Sequence, residues 1–416
     1  MAIEGCAIRQ QNDITRISQQ LRNAYYRQYS KIIDDCSEPF GGSMTESIGA
    51  WPEFILKGTF CSRSRKGFCS PCFYSRFPLS DKSRLVYYEM ISKQVSYVID
   101  NFEKFVISRQ YGQVSEKQTE VSFVFTPTGS FFDNYEFPID IRLYLENQLV
   151  RIAEERHIEL HLHIESHCED FNSYDLSDEK FYTEIELLNK LNTKVIFGFE
   201  SVNEYARNVL YNKQLELSKF ETAAEKAFDV GLAPGAFVFA GLFAYNDLQT
   251  HDDVLSSISY LLSKNIFPVL MFQNAQPYTI TDVLLKQEII SLLEPLTVAW
   301  IISDTIALLE GQPSYWLIAD PVGGPPEPDC HIFKNPRYTC PDCSEAIYSS
   351  LVELRTTRSF DKFLSSFAKI KQCDCYKRYI NYIETLIADN GLIKNKTDEL
   401  LKKCQHCLKS YLQLGK

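Results

Sequence analysis

The sequence predicts an α/β protein: a partial (βα)6 TIM-like barrel followed by a cysteine-rich, mostly helical C-terminal appendage. From about residue 53 to 276, short apolar and aromatic segments alternate six times with longer segments of helical periodicity, the pattern of a parallel sheet covered on both faces. After this region the chain becomes helical and carries most of its grouped cysteines. A chain of 416 residues also exceeds the usual size of a single core, so we expect one large domain with an appendage.

The predicted elements follow in chain order. Six strands are expected at residues 53–59, 120–125, 159–166, 194–201, 236–243 and 267–273. Helices are expected at residues 14–33, 81–111, 138–157, 178–191, 204–230 and 252–264, with two more at 281–293 and 297–310 before a strand at 316–320. The helical segments repeat apolar residues every three to four positions, whereas the strand segments are continuous apolar and aromatic runs.

Three parts are predicted along the chain. Residues 1–50 form a helical segment, which we interpret as a cover or an oligomer contact. Residues 51–322 contain the barrel and the helices that follow it. Residues 323–416 form a cysteine-rich metal-binding domain, and the loop Gly323-Gly-Pro-Pro326 marks the boundary.

Composition narrows the class of protein. Hydrophobic residues make up 45% of the chain and charged residues 23%, as in soluble globular enzymes. We find no apolar run of membrane-spanning length and no signal peptide, so we expect a cytoplasmic protein without a membrane partner. Thirteen cysteines in a reducing compartment indicate metal ligation rather than disulfides. The net charge of −11 disfavours indiscriminate binding to nucleic acid.

Polar residues recur where the predicted strands end. The groups at these positions are Cys61, Gly129, Ser130, Glu165, Glu200 and Asn274. In parallel α/β barrels the reacting groups lie at the C-terminal ends of the strands. We therefore expect the functional site at this rim.

Three cysteines lie in one loop after the first strand. Seven residues separate Cys61 from Cys69, and two separate Cys69 from Cys72. Iron–sulfur cubanes normally take four thiolates, so three local thiolates would leave one iron open for chemistry. From the loop alone, a zinc knuckle with a distant fourth ligand and unligated buried cysteines are the alternatives.

A second cysteine set occurs late in the chain. Cys340, Cys343, Cys373 and Cys375 supply four thiolates, enough for a closed zinc site or a second iron–sulfur cluster. We favour zinc, because a site that fastens an appendage needs no redox role. Further candidate ligands are Cys330, His331, Cys404, His406 and Cys407. Cys168, just beyond Glu165, could act as a thiol at the rim, but we expect a buried bystander.

Several motifs are similar to those of a known family. The motifs are Cys61-Ser-Arg-Ser-Arg-Lys-Gly-Phe-Cys69-Ser-Pro-Cys72, Phe125-Thr-Pro-Thr-Gly-Ser-Phe-Phe-Asp133, Gly198-Phe-Glu200-Ser, the pair Arg207 and Lys213, Gly323-Gly-Pro-Pro326, Cys340-Pro-Asp-Cys343 and Cys373-Asp-Cys375. Together they resemble the radical S-adenosylmethionine (SAM) superfamily, and within it the archaeosine-synthase radical SAM subunit, which is close to the Elongator catalytic subunit. The resemblance runs from about residue 50 to 385. It departs at Pro71, which replaces the usual aromatic residue before the third cysteine.

The resemblance implies a cofactor pair at the rim. Cys61, Cys69 and Cys72 would hold a 4Fe–4S cluster whose open iron chelates SAM. One electron would then cleave SAM to a 5′-deoxyadenosyl radical that abstracts a hydrogen from the substrate.

The resemblance also implies which other residues contact SAM. Gly129 and Ser130 would contact its amino group, where the plainer interpretation is an ordinary turn. Glu165 and Glu200 would bond the ribose hydroxyls of SAM or of the substrate. Arg207 would pair with the SAM carboxylate, and Lys213 is a weaker candidate for the same role.

The function expected from the resemblance is hydrogen abstraction from a nucleoside- or nucleotide-type substrate. The family's reaction is the carbon–nitrogen bond cleavage that forms archaeosine on tRNA, and a smaller nucleotide or a natural-product intermediate fits equally well. A flavodoxin or ferredoxin would be the reducing partner. The alternatives are radical sulfur insertion using an auxiliary cluster and a non-catalytic metal-binding module.

Overall fold

The computed structural model describes most of the chain. The described residues are 2–29, 40–41, 53–56, 61–72, 84–104, 120–273, 275–309, 317–318, 332–333, 336–357, 359–388 and 393–414. Some of the positions named above therefore lie outside the described residues, namely Asn274, Gly323-Gly-Pro-Pro326, Cys330 and His331.

The strands form one sheet in which neighbours in sequence are neighbours in space. The strands are β1 (Phe40–Gly41), β2 (Glu53–Ile55), β3 (Glu120–Thr126), β4 (Glu159–Ser166), β5 (Lys194–Glu200), β6 (Ala233–Ala240), β7 (Phe267–Phe272) and β8 (Leu317–Ile318). The first pairs antiparallel to the second, and every later pairing is parallel. The strands β2 to β7 are the six predicted ones, and they curl into a half-barrel. The predicted partial TIM-like fold is confirmed.

Helices follow the strands as the alternation predicts. They are α1 (Ala2–Tyr29), α2 (Ser62–Arg65), α3 (Arg84–Asp100), α4 (Ile139–Arg156), α5 (Cys168–Ser173), α6 (Glu179–Lys190), α7 (Leu217–Asp229), α8 (Asp247–Ser263), α9 (Ile280–Lys286), α10 (Pro295–Leu308), α11 (Pro341–Thr357), α12 (Phe360–Ile370), α13 (Asp374–Ala388) and α14 (Ile393–Leu414). None of the described helices is long and apolar enough to cross a membrane.

The two faces of the sheet have different surroundings. Alternate residues of each strand, such as Phe123, Leu162 and Phe197, are fully buried in the main core between the sheet and the helices. The inner face carries a separate small cluster of Ile196, Phe267 and Val269. Part of the inner wall of the half-barrel is therefore lined by this apolar cluster, and polar side chains line other parts of it.

The predicted helix at 204–230 is wrong in its middle. A π-helix occupies Tyr205–Leu210, an irregular turn follows, and α7 begins only at Leu217. Within the turn Asn212 (φ 59°) and Gln214 (φ 51°) adopt left-handed backbone conformations, which a helix cannot include. Periodicity alone did not reveal this break, and the turn is the element that brings Lys213 to the rim.

The two ends of the chain pack together on the barrel. The N-terminal helix α1 contacts the π-helix, α9 and the C-terminal helix α14. Its buried face consists of Gln10, Ile14, Ile17, Ser18, Leu21 and Arg22, at the three- and four-residue spacing of a helix face. The predicted domain boundaries at residues 50 and 322 stay predictions.

Candidate functional site

The predicted rim residues meet at the C-terminal ends of neighbouring strands. The backbone N–H of Phe131 donates to the carbonyl of Glu165 (2.8 Å), which joins the turn after β3 to the end of β4. The Ser130 hydroxyl lies 2.9 Å from that of Ser166 and accepts from the backbone N–H of His167 (3.1 Å). The turn at Gly129 and Ser130 is therefore held in place by the next strand.

Glu136 ties that turn to the first cysteine loop. One carboxylate oxygen accepts from the backbone N–H of Ser62 and the other from that of Ser130, both at 2.9 Å. A Cβ atom at Gly129 would overlap this carboxylate, so glycine is required there. Burial, followed by the charge of Asp133, raises the pKa of Glu136. Our sequence analysis missed Glu136. An acidic residue so close in sequence to Phe131, Phe132 and Phe137 could have indicated a buried, functional carboxylate.

The cysteine loop lies on the turn that follows the π-helix. Cys69 N–H donates to the carbonyl of Asn212 (3.0 Å), and Ser70 N–H donates to that of Tyr211 (2.8 Å). The Ser70 hydroxyl donates to the carbonyl of Leu210 (2.7 Å). Cys69 itself has a positive φ of 56°. These bonds hold the Cys69–Cys72 half of the loop in one conformation.

Buried cations surround the thiols. Arg63 donates to the carbonyl of Lys213 and to the carboxylate of Glu169. Burial acts to lower the pKa of Arg63, but Cys69, Glu169 and Cys61 outweigh it and the pKa is raised. Burial likewise opposes the charge of Lys213, and Glu200 and Cys69 raise its pKa above the ordinary value. Both cations therefore lie close enough to the thiols to interact with them electrostatically.

Glu200 and Lys213 form a buried ion pair. The Nζ atom of Lys213 lies 2.8 Å from Oε1 of Glu200. The register shifts between Gly198 and Glu200, and a Cβ atom at Gly198 would overlap the ammonium group. The second oxygen of Glu200, Oε2, has no hydrogen-bond partner among the described residues.

Glu165 lies half-buried on the inner wall of the half-barrel. Burial, then the charges of Glu53 and Glu200, raise its pKa to about 8. This carboxyl is therefore poised to hold or release a proton near neutral pH, or to accept a hydrogen bond from a ligand.

Arg207 has a different environment from the one that its predicted role implies. Its Nε donates to the carbonyl of Leu215 (2.9 Å), and its Nη1 donates to the carbonyls of Ser201 (2.8 Å) and Val202 (3.1 Å). These bonds fasten the turn after β5 to the start of α7. The pairing of Arg207 with a SAM carboxylate stays a prediction.

His167 is a second residue that sequence reasoning missed. Its Nε2 lies 3.7 Å from the sulfur of Cys61, and its Nδ1 lies 3.1 Å from Oδ2 of Asp170. Its position directly after β4 was the available signal. The neighbouring Cys168 is buried, and burial raises its pKa to about 12, which matches the expected buried bystander.

The four late cysteines converge. The sulfurs of Cys340, Cys343, Cys373 and Cys375 all lie within 4.8 Å of one another, and those of Cys340 and Cys373 are 3.9 Å apart. Zinc–sulfur bonds of about 2.3 Å in a tetrahedron place the sulfurs about 3.8 Å apart. A cubane binds each thiolate through a different iron and separates the sulfurs by about 6 Å. The observed spacing matches one tetrahedral ion.

Among the other candidate ligands, those on the C-terminal helix are not part of this set, whereas Cys330 and His331 lie outside the described residues. Cys404 and Cys407 lie on α14, in the cluster that packs against α1. Burial raises the pKa of Cys404 to about 12, as expected for a packed thiol.

The rim residues fit a 4Fe–4S cluster and SAM on two observations. The donors of the loop are soft thiols beside Arg63 and Lys213, which suits a cluster of net negative charge. In addition, a buried carboxylate oxygen without a partner, as on Glu200, is destabilising unless a ligand donates to it, and a ribose hydroxyl is such a donor. The three loop cysteines, Glu200 and Lys213 are the residues that could hold these groups.

Comparisons with known proteins found no matching family model and no matching curated protein. Three solved structures show some similarity. They are the radical SAM methyltransferase TsrM from Kitasatospora setae (11% identity, TM-score 0.33, covering 58% of this chain and 40% of that one), Elp3 from Methanocaldococcus infernus (14%, 0.37, 57% and 54%) and SuiB from Streptococcus suis bound to SAM (10%, 0.37, 65% and 47%). The matches thus span only about half of each solved chain, and similarity at this level does not identify a reaction.

Proposed function

We propose that this protein is a radical SAM enzyme. The observation that carries the proposal is the loop of Cys61, Cys69 and Cys72 at the C-terminal rim of the half-barrel, beside Arg63 and Lys213. The sequence motifs that resemble the superfamily support it independently. Cys61, Cys69 and Cys72 would hold a 4Fe–4S cluster, and its chemistry there would be one-electron cleavage of SAM to a radical that would abstract a hydrogen from the substrate.

The chain's own residues would position SAM and the substrate. The backbone at Gly129 and Ser130, held by Glu136, offers a close approach to the SAM amino group. Glu200, oriented by its ion pair with Lys213, would accept from the ribose hydroxyls. Glu165 projects from the inner wall and would contact the substrate or the second ribose hydroxyl.

The inner wall would also keep water away from the radical. Phe237 and Met271 are half-buried there, and Phe239 is buried. These apolar side chains lie on β6 and β7, which are two and three strands away from β4, the strand that carries Glu165. Exclusion of solvent protects a reactive intermediate from side reactions.

The substrate that we propose is of nucleoside or nucleotide type, free or within tRNA, and the reaction is cleavage of a carbon–nitrogen bond or a related modification. The sulfur spacing of the four late cysteines favours a structural zinc over an auxiliary cluster. Sulfur insertion, which needs a source of sulfide, is therefore disfavoured. A flavodoxin or ferredoxin would supply the electron.

The test is metal analysis with absorption and EPR spectroscopy on anaerobically purified protein. Wild type should hold about four irons and one zinc. A Cys61/Cys69/Cys72→Ala variant should lose the iron and keep the zinc. A Cys340/Cys343→Ala variant should lose the zinc before it loses any iron. About eight irons in wild type would instead support sulfur insertion. No iron after reconstitution would refute the radical proposal and leave a metal-binding module.

A further inference from the structure

The N-terminal helix α1 reaches the back of the cysteine loop. Arg22, on its buried face, donates through Nη2 to the carbonyl of Phe68 (2.6 Å) and to that of Cys69 (2.9 Å). The same atom lies 3.4 Å from the carbonyl oxygen of Cys72. One guanidinium nitrogen therefore contacts three backbone carbonyls of the segment that carries Cys69 and Cys72.

A second contact between α1 and the loop lies two helical turns away from Arg22. The carbonyl of Thr15 approaches Gly67 so closely that a Cβ atom there would lie 2.5 Å from it. Asn212 donates through Nδ2 both to the Thr15 hydroxyl (2.9 Å) and to the carbonyl of Gly67 (3.0 Å). Gly67 also has a φ of 79°, which only glycine adopts readily. The loop is thus held between α1 and the turn after the π-helix.

The position of α1 is fixed from its other side. Gln10 donates to the carbonyl of Lys394 (2.7 Å) and to Asp398 (2.9 Å), and accepts from the Tyr205 hydroxyl (2.8 Å). Gln11 donates to the carbonyl of Asn208 in the π-helix (2.7 Å). These bonds fix the rotation of α1 about its axis and its position along that axis. They therefore also fix the position of Arg22.

We propose that α1 belongs to the cluster site and that Arg22 is a positioning residue for Cys69 and Cys72, an inference that rests on the proposed function. Arginine suits this role because its rigid planar group fixes the direction of the N–H donors on Nη2, whereas the ammonium group of lysine rotates on a flexible stem. Its charge, buried at 5% exposure beside the ligand loop, also favours the more negative, reduced state of a bound cluster. Arg22 therefore both restrains the loop and raises the reduction potential of the cluster.

The experiment compares Arg22→Lys and Arg22→Gln with wild type and with Arg16→Gln. Arg16 lies on the same helix, is exposed and pairs with Asp13, so it controls for loss of an arginine from α1. Two quantities are measured on reconstituted full-length protein: the rate of iron release to a chelator and the midpoint potential from an EPR-monitored redox titration. Circular dichroism reports the fold of each variant.

Arg22→Lys keeps the charge but loses the rigid planar group that directs the Nη2 donors, so we expect iron release several-fold faster with a nearly unchanged potential. Arg22→Gln also loses the charge, so its potential should become more negative as well. Arg16→Gln should match wild type in both. Thr15→Val, which removes an acceptor without changing charge, should accelerate iron release alone.

Wild-type release rates and potential in a folded Arg22→Gln protein would overturn the inference. If that variant does not fold, wild-type release rates in Arg22→Lys and Thr15→Val overturn it. If wild type binds no iron, the proposed function fails first, and this outcome is distinct from an unchanged variant of an iron-loaded protein.

Discussion

At the scale of single residues, a buried charge network between α4 and α6 sets part of the pH dependence of stability. Arg142, Glu146 and Glu184 are all fully buried. Arg142 donates to both oxygens of Glu184, so these two charges compensate each other. Burial, then the neighbouring Glu184 carboxylate, raise the pKa of Glu146 well above its ordinary value. Glu146 therefore keeps its proton in the folded protein.

Replacement of Glu146 by glutamine should remove a pH-dependent loss of stability. An unfolded glutamate ionises above about pH 4.3, whereas folded Glu146 releases its proton only at a higher pH. Wild type therefore loses stability as the pH rises from about 4.3 towards the pKa of folded Glu146. The loss has a limiting slope of about 1.4 kcal/mol per pH unit until the folded pKa is reached. Glu146→Gln should therefore exceed wild type in stability at pH 7, and the difference should shrink as the pH falls to 5.

Urea unfolding of both proteins between pH 5 and 8 measures this difference. Glu155→Gln, on the exposed side of the same helix, is the matched control and should follow wild type. Parallel pH profiles for Glu146→Gln and wild type would show that Glu146 ionises in the folded protein.

Gly129 is the residue at which a single methyl group should disturb the rim. Gly129→Ala would push the Glu136 carboxylate off the backbone N–H groups of Ser62 and Ser130. If this turn binds SAM, the affinity for SAM should fall by about tenfold or more, equivalent to about 1.4 kcal/mol. Anaerobic equilibrium binding measures it, with Gly5→Ala as the control because no atom lies within 4 Å of the added Cβ. Equal affinities would exclude this turn from the SAM site.

At the scale of elements, the turn after the π-helix contacts both β5 and the cysteine loop, which a continuous helix at this place could not do. It supplies Lys213 to Glu200 at the end of β5 and offers carbonyls to Cys69 and Ser70. π-Helices and left-handed residues are both costly locally and are often found at functional sites. Here they let one short segment contact β5 and the cysteine loop together.

Loss of either partner of the Glu200–Lys213 pair should be strongly destabilising. Lys213→Met leaves the Glu200 charge buried without its cation, at a cost of about 3–5 kcal/mol. The double variant Lys213→Met/Glu200→Gln should recover part of that loss because no buried charge remains. Chemical unfolding of the two single variants and the double variant measures the coupling. Additive losses would mean that water or another group already compensates Glu200.

At the scale of the whole molecule, two carboxylates fasten the four-cysteine unit to the barrel. Glu294 accepts from the backbone N–H groups of Arg337, Tyr338 and Thr339, which directly precede Cys340. Asp247, at the start of α8, accepts from Glu294 N–H (3.1 Å) and from Tyr382 on α13 (2.8 Å). The barrel therefore orients the loop that presents the first of the four thiols.

If the four late cysteines bind zinc as proposed, Glu294→Gln should weaken zinc binding although Glu294 is not itself a ligand. The amide nitrogen cannot accept from Thr339 N–H and its hydroxyl, so one side of the loop loses its anchor, worth about 1–3 kcal/mol. We expect faster release of zinc to a chelator while the iron content stays unchanged. The exposed Glu288→Gln is the control. Wild-type zinc release in Glu294→Gln would show that the loop is held by the metal alone.

The sequence predicted the fold, and the four late cysteines that it singled out converge in the structure. The ligand role of Cys61, Cys69 and Cys72 stays a prediction, and much of the rim could not be foreseen. All six barrel strands overlap the predicted segments, with the fifth displaced by three residues to Ala233–Ala240, because strand burial leaves a local composition signal. The predicted helix at 204–230 failed, because its apolar periodicity continues across a turn set by Asn212 and Gln214. Arg207 could be singled out, but its three backbone acceptors could not be foreseen.

By itself, the sequence determined the strand–helix alternation and two sets of thiols with the spacing of metal ligands, because these depend on neighbours in the chain. The tertiary structure decided which distant groups surround them. Arg22 lies 47 residues from Cys69, and Glu136 lies 74 residues from Ser62, yet each pair is joined by a hydrogen bond. Such contacts depend on how the sheet curls and where α1 packs, and no local pattern encodes the meeting of two side chains across the fold.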